Sequence, residues 1–217
     1  SCQNNPKKNT LTTSVQNEKA DQQWVSLSPF NSLDGWHMYQ DKAGQKTGWS
    51  VNDGVFTYNS DIAKGNGNKS LISDETYTSF EIKFEWKLSP NSNSGFMWGV
   101  FEGNEFDAPY LTGPEIQIID AEIYGDDKKN QIRTTGSLYD MFAPDHVMAK
   151  PAGEWNSFSA TLKDNKLTVV INGKIVQDQV DLVKNEVDGQ KLASTGRICI
   201  QDHGLPFSLR NVRIKPL

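Results

Sequence analysis

Phe80-Glu-Ile-Lys-Phe-Glu-Trp-Lys-Leu88 alternates apolar and charged residues without a break. Successive side chains of a β-strand point to opposite faces, so this period of two describes a strand with one apolar and one charged face. Similar runs recur downstream. Phe158-Ser-Ala-Thr-Leu162, the turn Lys163-Asp-Asn-Lys166 and Leu167-Thr-Val-Val-Ile171 read as a hairpin. Asn172-Gly173 is the favoured type I′ pair, whose two positions both need positive φ, and Lys174-Ile-Val-Gln177 returns from it. Near the C-terminus Phe207 and Leu209 lie on one phase and Val212 and Ile214 on the other, which requires a β-bulge near Arg210-Asn211.

Ser94-Gly-Phe-Met-Trp-Gly-Val-Phe101 is apolar on both faces and reads as a central strand, its two glycines marking close approach by a neighbour or a ligand. Helical stripes are missing, and Val180 to Lys191 is expected to hold at most a short turn of helix. Many strands, short turns and little helix specify an all-β sandwich or barrel. The length fits two antiparallel sheets of jelly-roll type, with one concave face open to a ligand.

The 217 residues, 36% of them hydrophobic, suit one large domain over 22–217 preceded by a polar tether over 1–21. A formal net charge of −5 argues against a nucleic-acid partner, which needs a clustered basic surface. No apolar run reaches the roughly twenty residues of a membrane-spanning helix. Aromatics are plentiful and serve both a sandwich core and stacking on sugars. Cys199 lies in a strand-like run and is expected to be a buried small hydrophobe. Cys2 opens the polar tether, and Ser1-Cys2 reads as the acylated remnant of a bacterial lipoprotein signal; the alternative is an unmodified cysteine in a polar terminus. Acylation would place the protein in the cell envelope, in the periplasm or on the outer-membrane surface, with membrane contact only through the anchor.

Two segments carry candidate chemistry. In the strand Glu115-Ile-Gln-Ile-Ile-Asp120, Glu115 and Gln117 share a face, where a carboxylate and an amide can serve as acid/base and hydroxyl reader. The competing reading is a solvated outer face. In Gln201-Asp-His-Gly204, Gln201 and His203 share a phase, and His203 fits a general base, a metal ligand or a loop residue holding a carbonyl. Strand phase turns Asp120 and Asp202 the other way unless the strands end first. Glu85 lies on the charged face of the 80–88 strand, and Tyr139 and Asp140 sit in a loop-rich stretch. Asp126-Asp-Lys-Lys-Asn130 lacks the spacing of a calcium loop and reads as a solvated turn.

Nine blocks occur in order: Ser70-Leu-Ile-Ser-Asp74, Phe80 to Leu88, Asn93-Ser-Gly95, Thr112-Gly-Pro-Glu-Ile-Gln117, Gly136-Ser-Leu-Tyr139, Lys150-Pro-Ala-Gly-Glu-Trp-Asn156, Ile171-Asn-Gly173, Gln201-Asp-His-Gly204 and Phe207 to Lys215. Together they resemble the 3-keto-disaccharide hydrolase domain family, here in a lipoprotein of Bacteroidetes type, with coverage from about Trp24 to Leu217. The resemblance implies a concanavalin A-like lectin/glucanase jelly roll acting on glycosides oxidised at C3. Two departures stand out: Ile116 occupies a position where an aromatic is common, and Ile123-Tyr124 replaces an often His-containing stretch, which weakens a metal site built there.

A ketone at C3 acidifies the C2 proton, so a base can form an enolate and the C1 substituent can then leave by elimination, with water added later. On this reading His203 is the base or a metal ligand and Glu115 the acid/base. These two are also the candidate ligands for a divalent metal, should one be used. Gln117, Gln201 and Asn93 read hydroxyls, and Trp98 or Tyr139 stacks on the ring. Two rivals remain at this stage: a conventional glycanase using the carboxylates of Glu85 and Glu115, and a non-catalytic carbohydrate-binding lectin.

Overall fold

The computed structural model describes residues 23–41, 48–61, 70–124, 127–186 and 191–217. The expected tether over 1–21 and its Cys2 lie outside the described residues.

The strands are β1 (Val25–Ser26), β2 (Trp36–Met38), β3 (Trp49–Asn52), β4 (Val55–Tyr58), β5 (Leu71–Tyr77), β6 (Phe80–Leu88), β7 (Asn93–Val100), β8 (Glu115–Ile119), β9 (Asn156–Lys163), β10 (Lys166–Ile171), β11 (Lys174–Asp181), β12 (Gly196–Ile200) and β13 (Phe207–Pro216). They form two antiparallel sheets. One has eight strands in the order β11-β10-β9-β6-β13-β4-β3, with β1 added to β13; the other has five, in the order β2-β5-β12-β7-β8. The only helical segments among the described residues are 3-10 turns at Pro109–Leu111 and Lys128–Arg133. After β11 the chain makes turns over 182–185, and part of the stretch read as at most a short turn of helix, 187–190, lies outside the described residues.

β6 is the strand the alternation describes: Phe80, Ile82, Phe84, Trp86 and Leu88 are buried while Glu81, Lys83, Glu85 and Lys87 face outward, half-buried. Rings tie the two sheets together. Phe96 of β7 packs 6.2 Å from Phe84 and 5.3 Å from Phe158, which stack on each other at 4.5 Å. The β9–β10 turn has Asp164 and Asn165 at φ of 50° and 60°, and the β10–β11 turn has Asn172 and Gly173 at 48° and 81°. Both are turns of the primed hand that matches strand twist. The β13 bulge is present as a register shift between Arg210 and Arg213, with Asn211 at φ 54°. That extra residue lets Phe207, Leu209, Val212 and Ile214 all reach the core.

β7 runs between β12 and β8. Its Phe96 and Trp98 enter the main core, while Met97 and Val100 join Tyr39, Ile72 and Cys199 in a second cluster on the other face of the five-stranded sheet. That outer face therefore needs cover. The segment 101–114 crosses part of it, held where Tyr39 donates to the Phe101 carbonyl at 3.1 Å and where the Gln40 amide donates to the Gly103 carbonyl at 2.6 Å.

Candidate active site

The outer face of the five-stranded sheet also carries a cavity of about 610 Å³, lined by Asn93, Glu115, Gln117, Tyr139, Gln201, Asp202 and His203 among others. Its floor is the β7–β8 pair. The register sets Asn93 opposite Ile119, Gly95 opposite Gln117 and Met97 opposite Glu115. Period two then puts Asn93, Gly95, Gln117 and Glu115 on one face, because Ile116 and Ile118 fill the core behind them. One wall is residues 135–139, which run beside β8. Gln117 N–H donates to the Ser137 carbonyl at 3.0 Å, Gly136 N–H to the Gln117 carbonyl at 2.9 Å, and Tyr139 N–H to the Glu115 carbonyl at 2.9 Å. A buried Gln177 holds this wall by donating to the Gly136 carbonyl at 3.0 Å. The other wall comes from Pro109, Tyr110, Gly113 and Pro114.

Glu115 is half-buried on β8, and its Oε1 has no hydrogen-bond partner. Burial alone pushes its carboxyl up to about 8, with no donor or cation to oppose the rise. The space it occupies is made by Gly95: a Cβ there would lie 1.9 Å from Glu115 Oε1 and 2.7 Å from Cδ. The close approach read from the β7 glycines is thus made, at Gly95, by a side chain of the site. Gln117 Oε1 and Asn93 Oδ1 are likewise buried without partners. Three acceptor oxygens on one cavity floor, each stripped of water and unpaired, call for a ligand rich in hydroxyl donors.

For Asp202 the exception to strand phase applies, because the strand ends first. β12 ends at Ile200, so Gln201, Asp202 and His203 follow it in irregular chain, and Asp202 lines the cavity together with its neighbours. Gln201 still pairs with β7, its N–H donating to the Gly95 carbonyl at 2.9 Å while Ser94 Oγ donates to the Gln201 carbonyl at 2.8 Å. Asp202 accepts from the Tyr58 hydroxyl at 3.1 Å and from Gly204 N–H at 2.7 Å, and its own N–H donates to Ser70 Oγ at 3.0 Å. These bonds fix the backbone on either side of the exposed His203. Asp120, by contrast, caps a turn, accepting from Asn91 N–H at 2.7 Å.

Two expected site residues are placed elsewhere. Glu85 points outward from the eight-stranded sheet, where Arg210 donates to its carboxylate at 3.1 and 3.3 Å and the Asn211 amide also donates to it. Partial burial pushes its carboxyl up, but the Arg210 and Asn211 hydrogen bonds, with the Arg210 and Arg213 charges, outweigh this and hold it below the usual range. Glu85 and Glu115 therefore sit on opposite outer faces of the sandwich and do not form a catalytic pair. Trp98 is 1% exposed on the core side of β7, with its indole N–H donating to the Leu192 carbonyl at 2.7 Å, so it is no stacking platform. The aromatic rings that line the cavity are Tyr139 and Tyr110.

Residues 23–215 match the family described as the 3-keto-alpha-glucoside-1,2-lyase-like domain. The chain belongs to this family. It is a carbohydrate-active, glycoside hydrolase-like enzyme of jelly-roll fold. A 3-keto-disaccharide hydrolase from Bacteroides thetaiotaomicron is 29% identical, the match covering 89% of this chain and 78% of that protein. The crystal structure of a provisionally assigned glycosyl hydrolase from Parabacteroides distasonis superposes with a TM-score of 0.73 at 30% identity, over 89% of this chain and 94% of that one. A Bacillus subtilis protein with a galectin-like fold superposes with a TM-score of 0.55 at 8% identity, over 87% of this chain and 93% of that one, a likeness of fold alone.

Family membership leaves the metal question to this chain's own donors. No group of three or more His, Cys, Asp or Glu side chains placed to hold an ion occurs among the described residues. The described residues therefore assemble no metal site, and no step below uses a metal. Sequence reasoning missed a second polar cluster on this face: His37 bonds Asp74 Oδ1 at 2.7 Å and Glu102 Oε1 at 2.6 Å, and Glu102 accepts from Gln40 N–H at 2.7 Å. The cluster joins three distant parts of the chain, 37–40, Asp74 and Glu102, which share no motif. They brace the start of the segment that carries Tyr110.

Proposed function

We propose that this protein cleaves glycosides already oxidised at C3 by eliminating the group at C1 and then adding water. The observation that carries the reading is Glu115: a half-buried, unpaired carboxyl with a proton affinity raised to about 8, on a cavity floor with two more unpaired acceptors. A carboxylic acid that keeps its proton at neutral pH is a general acid for a leaving oxygen. The relative from Bacteroides thetaiotaomicron that acts on 3-keto-disaccharides supports the same substrate class.

In this scheme His203 accepts the C2 proton, and the C2–H electron pair moves into an enolate whose negative charge rests on the C3 oxygen. The enolate then re-forms the ketone as the C1–O bond breaks, leaving a C1=C2 double bond. Glu115 gives its proton to the departing oxygen. Water next adds across C1=C2: Glu115 takes one of its protons as the hydroxyl joins C1, and His203 returns a proton to C2. Both groups end as they began, and the sum is hydrolysis. Asn93, Gln117 and Gln201 bind the remaining hydroxyls, and Tyr139 packs against the ring.

Incubation with a 3-keto-glucoside and with its unoxidised parent tests this. Turnover of the keto sugar alone is expected, because only the ketone acidifies C2. Exchange of solvent deuterium into C2 of recovered substrate or product should accompany it. Cleavage of the parent at a similar rate, or product without deuterium at C2, would remove the elimination. We also propose acylation at Cys2 and residence in the cell envelope, supported by the long polar run that follows this cysteine. Labelling with a clickable fatty acid in a bacterial host, lost in Cys2→Ser, is the expected result; equal labelling of both would overturn it.

A further inference from the structure

We infer that the cavity has a built aglycone site for a flat aromatic group, with Tyr110 as its platform; this rests on the assignment of Glu115 as the acid for the leaving oxygen. If Glu115 protonates that oxygen, the departing group lies beside Glu115, in a cavity that two tyrosines also line. Tyr139 is tied to Glu115 by its backbone hydrogen bond at 2.9 Å. Tyr110 stands on the 3-10 turn of Pro109–Leu111, just upstream of the Gly113-Pro114 corner that leads into Glu115, and it also lines the cavity.

The cavity is two-sided in chemistry. Asn93, Gln117, Gln201, Asp202 and His203 supply polar groups from the floor and the β12 end, whereas Pro109, Met141 and the core residues Leu138 and Leu192 line the cavity together with the two tyrosines. The charged wall residue Asp140 is occupied by an ion pair with Arg133, whose guanidinium also lies 5.7 Å from the Tyr139 ring. A second sugar held against these walls would lose water from its hydroxyls and find few partners there, while an aromatic ring would lose nothing of the kind. At about 610 Å³ the cavity lies in the range of about 300–1,000 Å³ that encloses drug-sized ligands, enough for a pyranose and a second ring. Tyr110 is 58% exposed, so its ring face is open to a ligand in the cavity it lines.

The test compares benzyl, methyl and glucosyl 3-keto-glucosides, in both anomers. Benzyl and methyl aglycones leave from alkoxides of similar basicity, so their difference reports the site and not the leaving group. The benzyl compound is expected to exceed the methyl compound in kcat/KM by about tenfold, mainly through KM, and to exceed the disaccharide as well. Tyr110→Ala should erase the benzyl advantage and Tyr110→Phe should keep it. Equal benzyl and methyl values, a benzyl advantage that survives Tyr110→Ala, or a preferred disaccharide would each overturn the aromatic site. Direct binding of unoxidised benzyl and methyl glucosides, followed by calorimetry, separates this inference from the reaction beneath it. Tighter benzyl binding through Tyr110 without turnover of any keto sugar would sink the elimination and leave the platform; equal binding would sink the platform.

Discussion

Glu85 and Glu115 are the same side chain on the outer faces of the two sheets, and their surroundings give them opposite properties. Glu85 meets Arg210 and Asn211 across the β6–β13 pair, and those contacts hold it ionised. Glu115 has no cation and no donor beside its Oε1, and burial makes it a weak acid. The difference lies in what covers each face. The eight-stranded sheet presents β6 and β13 charges to solvent, where cross-strand pairs of opposite sign settle against each other. The five-stranded sheet is roofed by the segment 101–114 and edged by residues 135–139, so a carboxyl there loses water and gains nothing in return.

Glu115→Gln should produce the largest effect, a fall in kcat of about a thousandfold with the fold intact. The same variant reports on stability. In the native state Glu115 titrates near 8 against an ordinary 4.5 in the unfolded chain, so between those values the native protein holds a proton the unfolded chain has released. Stability of the wild type therefore falls as pH rises across that window, by on the order of a few kcal/mol, and levels off above it. Denaturation midpoints for Glu115→Gln should lack this decline. A slope equal to that of the wild type would show that Glu115 is not buried as a neutral acid.

Gly95→Ala comes next. Its methyl group would occupy the position of the Glu115 carboxyl, displacing that flexible end, so turnover should fall about a hundredfold while stability falls by about 1–3 kcal/mol. Full activity would mean that Glu115 need not sit where it does. Tyr58→Phe removes the hydroxyl that binds Asp202, with an expected loss of about 1 kcal/mol and a several-fold drop in kcat through looser placement of His203. An unchanged kcat would separate the Tyr58–Asp202 bond from the site. The smallest effect belongs to the opposite face: Glu85→Gln should leave turnover within about twofold and cost under about 1 kcal/mol, the pair being partly exposed. Since the native contacts lower the Glu85 pKa, its contribution is present above the ordinary carboxylate range and is lost as pH falls through the native value. A collapse of activity in Glu85→Gln would restore the two-carboxylate rival.

Local periodicity carried much of the architecture. Alternation over 80–88, the Asn172-Gly173 turn and the phase flip before Val212 each report a short-range rule, and β6, the β10–β11 turn and the β13 bulge follow them. The shared face of Glu115 and Gln117 was legible for the same reason. Trp98 was not, because a strand apolar on both sides gives no sign of which face meets the core. Asp202 was not, because strand phase says nothing once the strand has ended, and β12 stops at Ile200. Tyr110 carries no local signal at all; only the fold of 101–114 over the sheet brings it to the cavity.

By itself, the sequence determined the β-sandwich class, the hairpin turns and the family, since each rests on neighbours within a few residues or on motifs in order. The tertiary structure alone decided which of two outward-facing glutamates is paired and which is left protonated. That choice depends on strand order and on loops from distant parts of the chain, because a carboxyl's proton affinity is set by the water and charge around it and not by the residues beside it in sequence.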